Sequence, residues 1–317
     1  MERRSTRGRK AVLFWAFATL VGAGLIGLTI AGMTYRWTPT FPDGWPGRLV
    51  EVEGTRLRVL QVGSGPDLLL IHGSPGLIED WSPIIDRLAT RYRITAYDRP
   101  GQGFSEIRGD QYRIERNADV ALTLIQTLRL NPIVVGHSFG AATALALAIR
   151  NRPEIRGYVL VGPLAYEYGK VDPIARLIAL PYIGSGFALS LGRWFGPQKF
   201  REGIQQRFSP NEDRIPPGFI GLRIGVWTKP KVLVTLSQER VTRDASLRRI
   251  SPHYPEIRGK VSILHGVDDA DLLDSARRLG REIPNTDLRV FEKTGHFVQF
   301  AHPDAVVAAI DTVSESR

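Results

Sequence analysis

A serine flanked by glycines is the strongest chemical signal in the sequence. Gly136-His137-Ser138-Phe139-Gly140 follows an apolar run at 132–135 and precedes a helix-forming run at 141–150. Small residues two positions before and after a serine permit a sharp strand-to-helix turn, which presents the hydroxyl above a sheet and over a helix N-terminus. The same pattern arises by chance in glycine-rich chains, but a strand before it and a helix after it favour a nucleophilic Ser138.

A serine nucleophile needs a base, because its hydroxyl reacts poorly until an imidazole accepts its proton. The chain has six histidines. His296 follows a predicted strand that ends at residue 291 and lies near the C-terminus, and none of the others has a better claim. His296 is therefore the predicted base, and a carboxylate is needed to orient it.

Short apolar runs alternate with helical patterns along most of the chain after residue 47. Residues 48–52 and 56–62 alternate like an antiparallel hairpin, whereas 68–71 is a continuous apolar run typical of a central parallel strand. Further strands are predicted at 93–97, 133–135, 158–161, 261–264 and 288–291, and helices at 78–90, 114–130, 140–151, 271–281 and 303–314. This alternation predicts an α/β fold, with a mostly parallel sheet and helices on both faces.

The alternation is interrupted between residues 163 and 256. Glycines, prolines and scattered aromatic residues, among them Trp194, Phe195 and Trp227, separate short apolar segments there. We interpret this stretch as a mainly helical insertion between two strands. Its aromatic side chains would suit an acyl or aryl group, but packing against the sheet is the more common role for any single one.

Three further motifs accompany the serine turn. They are His-Gly-Ser-Pro-Gly at 72–76, Asp-Arg-Pro-Gly-Gln-Gly-Phe-Ser at 98–105 and Gly-His-Phe at 295–297. Together with Ser138, and in this order, they resemble the α/β-hydrolase fold superfamily from about residue 48 to the C-terminus. The resemblance implies a core of residues 48–162 and 257–317 and a helical cap, or lid, of residues 163–256.

The resemblance also implies which acid completes the site. The superfamily order is serine, acid, histidine, and Leu-His-Gly-Val-Asp-Asp at 264–269 supplies carboxylates directly after a strand. In the superfamily the acid commonly lies three residues after the glycine that ends the strand, so the resemblance selects Asp269. Asp268 and Asp271 remain alternatives. Serine at the nucleophile position argues against haloalkane dehalogenases and epoxide hydrolases, which carry aspartate there.

Two backbone N–H groups are expected to form the oxyanion hole. Phe139 directly follows the nucleophile, and Ser74 lies in the loop that resembles the family's oxyanion signature. Backbone groups leave the identity of these side chains free. His72, in the same loop, is expected to stabilise the loop rather than to react.

These roles predict a serine hydrolase that cleaves a carboxylic ester or a related small acyl compound through an acyl-enzyme. Cofactor-free haloperoxidase or perhydrolase, thioesterase and carbon–carbon hydrolase activities use the same triad and are alternatives. A noncatalytic binding protein of this fold is an alternative of another class, but such members usually lose a triad residue. The sequence calls for no cofactor or metal, and the absence of cysteine excludes disulfides, thiolate metal sites and a cysteine nucleophile.

The net charge of +10 is concentrated in two segments. Residues 1–10 carry five basic residues and one acidic residue, and residues 163–256 carry 14 basic and 8 acidic residues, so the rest of the chain is neutral. No basic run interleaved with aromatic residues and no nucleic-acid motif is visible. We therefore expect no nucleic-acid partner, and the sequence does not indicate an oligomeric state.

Residues 11–33 are 23 consecutive uncharged residues, enough for a helix to cross the roughly 30 Å hydrocarbon core of a bilayer. The basic residues of 1–10 precede them, which predicts a single-pass transmembrane helix with a cytoplasmic tail and a catalytic domain on the non-cytoplasmic side. Residues 34–47, which contain three prolines, are the predicted linker. A cleaved signal peptide is the alternative and would give a secreted protein.

Overall fold

A computed structural model describes residues 2–38, 41, 44–169 and 171–315, without the side chains of residues 2–8, 191 and 193. In this part of the chain one sheet contains β1 (Arg48–Val52), β2 (Thr55–Val62), β3 (Asp67–Ile71), β4 (Arg93–Tyr97), β5 (Ile133–His137), β6 (Gly157–Val161), β7 (Val261–Gly266) and β8 (Thr286–Phe291). Their order is β1-β2-β4-β3-β5-β6-β7-β8. The two contacts of β2 are antiparallel and all others are parallel, which confirms the predicted architecture.

Helices cover both faces of the sheet. The α-helices of the described residues, in chain order, are α1 (Glu2–Thr34), α2 (Ser82–Ala89), α3 (Ile114–Thr127), α4 (Phe139–Ala148), α5 (Pro173–Ile178), α6 (Ile183–Phe208), α7 (Phe219–Trp227), α8 (Pro230–Ile250), α9 (Ala270–Glu282), α10 (Val298–Ala301) and α11 (Pro303–Glu315). Short 3-10 helices lie at Ile78–Trp81, Glu212–Arg214 and Ser251–Glu256. One apolar layer packs α3, α4 and α9 on the sheet, and a second packs α2 and α11 on its other face.

The central strands explain why the functional loops converge. All residues of β3, β5, β6 and β7 are buried, because each of these strands has helices on both sides. Parallel neighbours end at the same edge of a sheet. The loops after β3, β5, β7 and β8 therefore meet at one edge, and these loops carry Ser74, Ser138, Asp269 and His296.

The segment between β6 and β7 contains helices α5 to α8 and no strand in its described residues. The stretch is mainly helical, as the sequence predicts, and α6 runs for 26 residues through Pro197. Its glycines, which favour chain breaks in isolation, serve close packing here. A side chain at Gly192 would collide with Leu233 of α8, and one at Gly184 would collide with the carbonyl group of Ile178.

The N-terminal helix α1 is long and apolar enough to cross a membrane or to act as a signal sequence. The helix includes the described part of the basic tail. Part of the predicted linker lies against the domain, because Trp45 packs edge-on against Phe104 with ring centroids 5.3 Å apart. Pro39 and Pro42 of that linker lie outside the described residues.

Candidate active site

Ser138 occupies a strained turn between β5 and α4. Its backbone has φ 54° and ψ −115°, a conformation that L-residues rarely adopt. The glycines on either side make the turn possible: a side chain at Gly136 would collide with the carbonyl group of Gly140, and one at Gly140 would collide with the carbonyl group of Ile71. The turn therefore presses against the end of β3 and raises Ser138 at the edge where the strands end.

The structure brings one of the three candidate acids to the histidine. Asp269 Oδ2 lies 2.7 Å from Nδ1 of His296, and both side chains are buried. Asp268 instead accepts a hydrogen bond from the Thr294 backbone N–H, and Asp271 accepts one from the Tyr168 hydroxyl. The offset that selects Asp269 therefore agrees with the geometry, and the two alternatives have other partners.

The surroundings keep the Asp269 carboxylate charged. Burial by itself would raise its pKa, but the electrostatic interaction and hydrogen bond with His296, together with His265 and Arg207, outweigh burial and lower it. Arg207 donates to Asp269 Oδ1 at 3.0 Å, on the side of the carboxylate away from His296. An ionised carboxylate that accepts hydrogen bonds from both Arg207 and His296 favours the His296 tautomer with its proton on Nδ1, which leaves Nε2 unprotonated.

Ser138 and His296 line the same cavity, which has a volume of about 650 Å³ and lies between the sheet edge and the helices α5, α6 and α8. Apolar side chains form much of its wall, including Leu164, Ile178 and Leu236. A cavity of this size accommodates a small organic molecule. Among the described residues, no group of three or more histidine, aspartate or glutamate side chains is arranged to hold a metal ion.

The two predicted oxyanion donors lie beside the serine. Phe139 is the first residue of α4, where a backbone N–H has no acceptor within its own helix. Ser74 follows Gly73, and a side chain at Gly73 would come within 3.2 Å of Ser138 Cβ. Both Ser74 and Phe139 line the cavity.

A carboxylate that the sequence did not reveal supports the Ser74 loop from the cap. Glu239 of α8 is buried and accepts hydrogen bonds from the Ser74 hydroxyl and from Gln102 Nε2. It also forms a buried ion pair with Arg99, with a distance of 2.7 Å between Nη1 and Oε1. Arg99 in turn donates to the carbonyl groups of His72 and Gly73 at 3.0 and 2.8 Å. The cap thus reaches the backbone next to the predicted oxyanion donor.

Basic side chains of the cap line the same cavity: Lys199, Arg207, Arg240 and Arg243. Arg207 and Arg243 are paired, with Asp269 and Asp244 respectively. Arg240 differs, because within the described residues its guanidinium has no hydrogen bond or ion pair. Its side chain is exposed to solvent where it lines the cavity. The +6 charge of residues 163–256 was the sequence signal for this cluster, but charge alone does not show that side chains point inward.

Comparison with known proteins places the chain in a family. The model of the Alpha/beta hydrolase family matches residues 68–309, and the chain belongs to this family. It is 27% identical over 263 residues to 2-hydroxy-6-oxo-2,4-heptadienoate hydrolase from Pseudomonas putida, an alignment that covers 80% of this chain and 90% of that protein. It is 28% identical over 269 residues to 2-hydroxymuconate semialdehyde hydrolase from a Pseudomonas species, covering 81% of this chain and 89% of that one.

Solved structures share the fold. The esterase from Exiguobacterium antarcticum superposes with a TM-score of 0.71 at 20% identity, covering 85% of this chain and all of that chain. The enol-lactonase from Burkholderia xenovorans superposes with a TM-score of 0.67 at 21% identity, covering 84% of this chain and all of that chain. At this level of identity the likeness establishes the fold, and the chemistry must be argued from the site.

Proposed function

We propose that the protein is a serine hydrolase in which Ser138 is the nucleophile, His296 the general base and Asp269 the residue that orients the imidazole. The contact between Asp269 and His296 at the cavity that Ser138 lines supports these roles. The N–H groups of Ser74 and Phe139 donate to the oxyanion. Residues 48–162 and 257–317 supply this machinery, and residues 163–256 cover it as the cap.

The substrate we propose is a small acyl compound with a carboxylate, cleaved at a carbon–carbon bond beside a carbonyl group. Arg240 is the observation that carries this choice, because a solvent-exposed guanidinium without a partner lines a largely apolar cavity and favours an anionic ligand. The names of the two Pseudomonas relatives describe hydrolases of a dienoate and of a muconate semialdehyde, both compounds of this type. The relatives therefore favour the carbon–carbon hydrolase alternative over a simple carboxylic ester.

The proposed reaction balances without a cofactor. Ser138 Oγ attacks the carbonyl carbon while His296 Nε2 accepts its proton. The carbon–carbon bond breaks, its electron pair leaves with the departing carbon, and that carbon takes the proton from His296. Water, deprotonated by His296, then cleaves the acyl-enzyme and releases a carboxylic acid. A leaving fragment conjugated to a 2-oxo acid stabilises the departing electron pair as an enolate, and Arg240 would hold its carboxylate.

A matched substrate panel tests this function. The full-length protein would be assayed with 2-hydroxy-6-oxodienoic acids and with neutral esters that carry the same acyl group, with Ser138→Ala as the control. We expect a higher kcat/KM for the dienoic acids. Turnover of the neutral esters alone would support the carboxylesterase hypothesis instead. Turnover of neither substrate group would favour the noncatalytic alternative.

We propose that α1 anchors the protein in a membrane through residues 11–33, with the N-terminus in the cytoplasm and the catalytic domain on the other side. The length and the apolar composition of α1 support this placement. The protein is expected to resist carbonate extraction from membranes, and added protease is expected to reach the catalytic domain only from the non-cytoplasmic side. A mature N-terminus near residues 24–33 would instead establish the secreted alternative.

A further inference from the structure

Large apolar side chains that remain exposed are unevenly distributed over the described residues. The core carries one, Val290, whereas six lie within 22 residues of the cap: Ile174, Leu180, Tyr182, Leu189, Trp194 and Phe195. Trp194 is 79% exposed and Phe195 is 63% exposed. Single exposed apolar residues are ordinary, but a concentration of them marks an interaction surface. We call residues 174–195 the cap face.

The cap face adjoins the candidate membrane helix. A side chain at Gly32 of α1 would collide with the carbonyl group of Tyr182, and a side chain at Gly186 of α6 would collide with the carbonyl group of Leu28. The later contact along α1 is the earlier one along α6, where Tyr182 directly precedes the helix. The two helices therefore pack antiparallel and very closely. The exposed apolar side chains of the cap face therefore continue the apolar surface of α1.

The charge around the cap face suits an anionic surface. Residues 170–201 contain five basic residues and one acidic residue, a net charge of +4. Arg176, Lys199 and Arg201 are exposed on this stretch. Basic residues beside exposed aromatic and aliphatic side chains are the combination that binds anionic lipid headgroups and the outer part of the hydrocarbon layer.

The cap face also borders the cavity. Ile174 and Phe195 are exposed at the surface and at the same time line the cavity that contains Ser138. Lys199, one turn beyond Phe195 on α6, lines it as well. An entrance to the cavity therefore opens beside the exposed apolar side chains.

We propose that the cap face docks on an anionic membrane surface next to α1 and holds the cavity entrance at that surface. This inference rests on the proposed membrane anchor, whose helix brings the cap face to the bilayer. A lipid surface is the occupant because the face continues a helix long enough to cross a bilayer. A second copy of the chain would bring together two copies of residues 170–201, each of net charge +4, which disfavours it.

Tryptophan fluorescence separates the cap face from the anchor, because α1 carries Trp15 and the cap face carries Trp194. The full-length protein would be reconstituted in phosphatidylglycerol vesicles that contain brominated lipid, which quenches tryptophans in contact with it. Trp194→Phe and Trp15→Phe would be compared with Trp45→Phe, a control in the segment packed on the core. We expect each of the first two variants to lose a quenched component, and Trp45→Phe to lose none.

The outcomes distinguish the two proposals. If Trp15→Phe loses quenching and Trp194→Phe does not, the helix is inserted but the cap face does not touch lipid, and the inference is wrong. If neither loses quenching, the anchor and the cap docking both fail. A Trp194 signal that follows protein concentration rather than lipid would assign the face to a second copy and would also overturn the inference.

A kinetic comparison tests the consequence for the cavity. Leu189→Ser removes an apolar side chain from the cap face, and Val241→Ser removes one of similar exposure, 42% against 38%, from α8. With an ester dissolved in the vesicle membrane, Leu189→Ser is expected to lower turnover several-fold and Val241→Ser to leave it unchanged. With a water-soluble ester both variants should match the parent. An equal loss in the two variants, or a loss on the soluble ester, would contradict docking.

Discussion

The core and the cap differ in how many large apolar side chains they leave exposed. The core buries continuous apolar strands such as β3, β5 and β6, and among its described large apolar side chains only Val290 is exposed. The cap exposes large apolar side chains and buries charged ones against the core. Arg223 pairs with the buried Asp80, Glu239 pairs with Arg99, and Lys231 donates to the carbonyl groups of Gly103 and Ser105.

This difference indicates that the two parts have separate roles. A buried charge costs free energy unless it is paired, so the ionic contacts of the cap fix its position on the core more than they add stability. Burial lowers the pKa of Lys231 well below its usual value, which shows the cost at one of these contacts. In the proposed function the core holds the reacting groups, whereas the cap would determine what enters the cavity and in which orientation.

The largest expected effect comes from the core nucleophile. Ser138→Ala removes only the hydroxyl group at the turn, so turnover of every substrate is expected to fall to background while the fold is retained. Steady-state assays together with circular dichroism would check this. Full activity in the variant would remove Ser138 from the mechanism, and unfolding would make Ser138→Cys the variant to measure instead.

The catalytic acid is expected to give the next largest effect. Asp269→Asn should lower kcat by about two to four orders of magnitude, because the amide neither stabilises the imidazolium nor fixes its tautomer. Asp268→Asn and Asp271→Asn are matched controls whose carboxylates bond elsewhere, and they should retain most activity. A greater loss in Asp268→Asn than in Asp269→Asn would contradict the assignment.

A cap residue should instead change selectivity. Arg240→Met is expected to raise KM for an anionic substrate and to lower kcat/KM about 10- to 100-fold, the effect of one lost charge-assisted hydrogen bond. Neutral esters should be unaffected, and Val241→Ser provides the neighbouring control. Equal losses on anionic and neutral substrates would show that Arg240 acts on the cap rather than on the ligand.

The smallest effect on catalysis is expected at the junction of the two parts. Glu239→Gln keeps hydrogen-bonding atoms near Ser74 but leaves the buried Arg99 without a counter-charge. The free energy of unfolding is expected to fall by about 3 kcal/mol, while kcat falls less than tenfold. Denaturant unfolding and steady-state kinetics would be compared, and unchanged stability would show that the ion pair does not hold the cap.

The sequence predicted the core better than the cap for a physical reason. Buried parallel strands read as continuous apolar runs, and the turn at Ser138 requires glycines at fixed positions, so both leave local patterns. Glu239 meets Ser74 across 165 positions of the chain, a contact without a local signal. The bounds of α6 could not be predicted, because its glycines and Pro197 favour a break locally, whereas close packing against Leu28 and Leu233 overrides that preference.

Covalent labelling would show whether Ser138 is an activated nucleophile at the cavity. The full-length protein would be treated with a fluorophosphonate and the modified peptide identified by mass spectrometry. We expect one adduct on Ser138, slower labelling of Asp269→Asn and no labelling of Ser138→Ala. An unlabelled parent protein, or an adduct that persists in Ser138→Ala, would contradict this expectation.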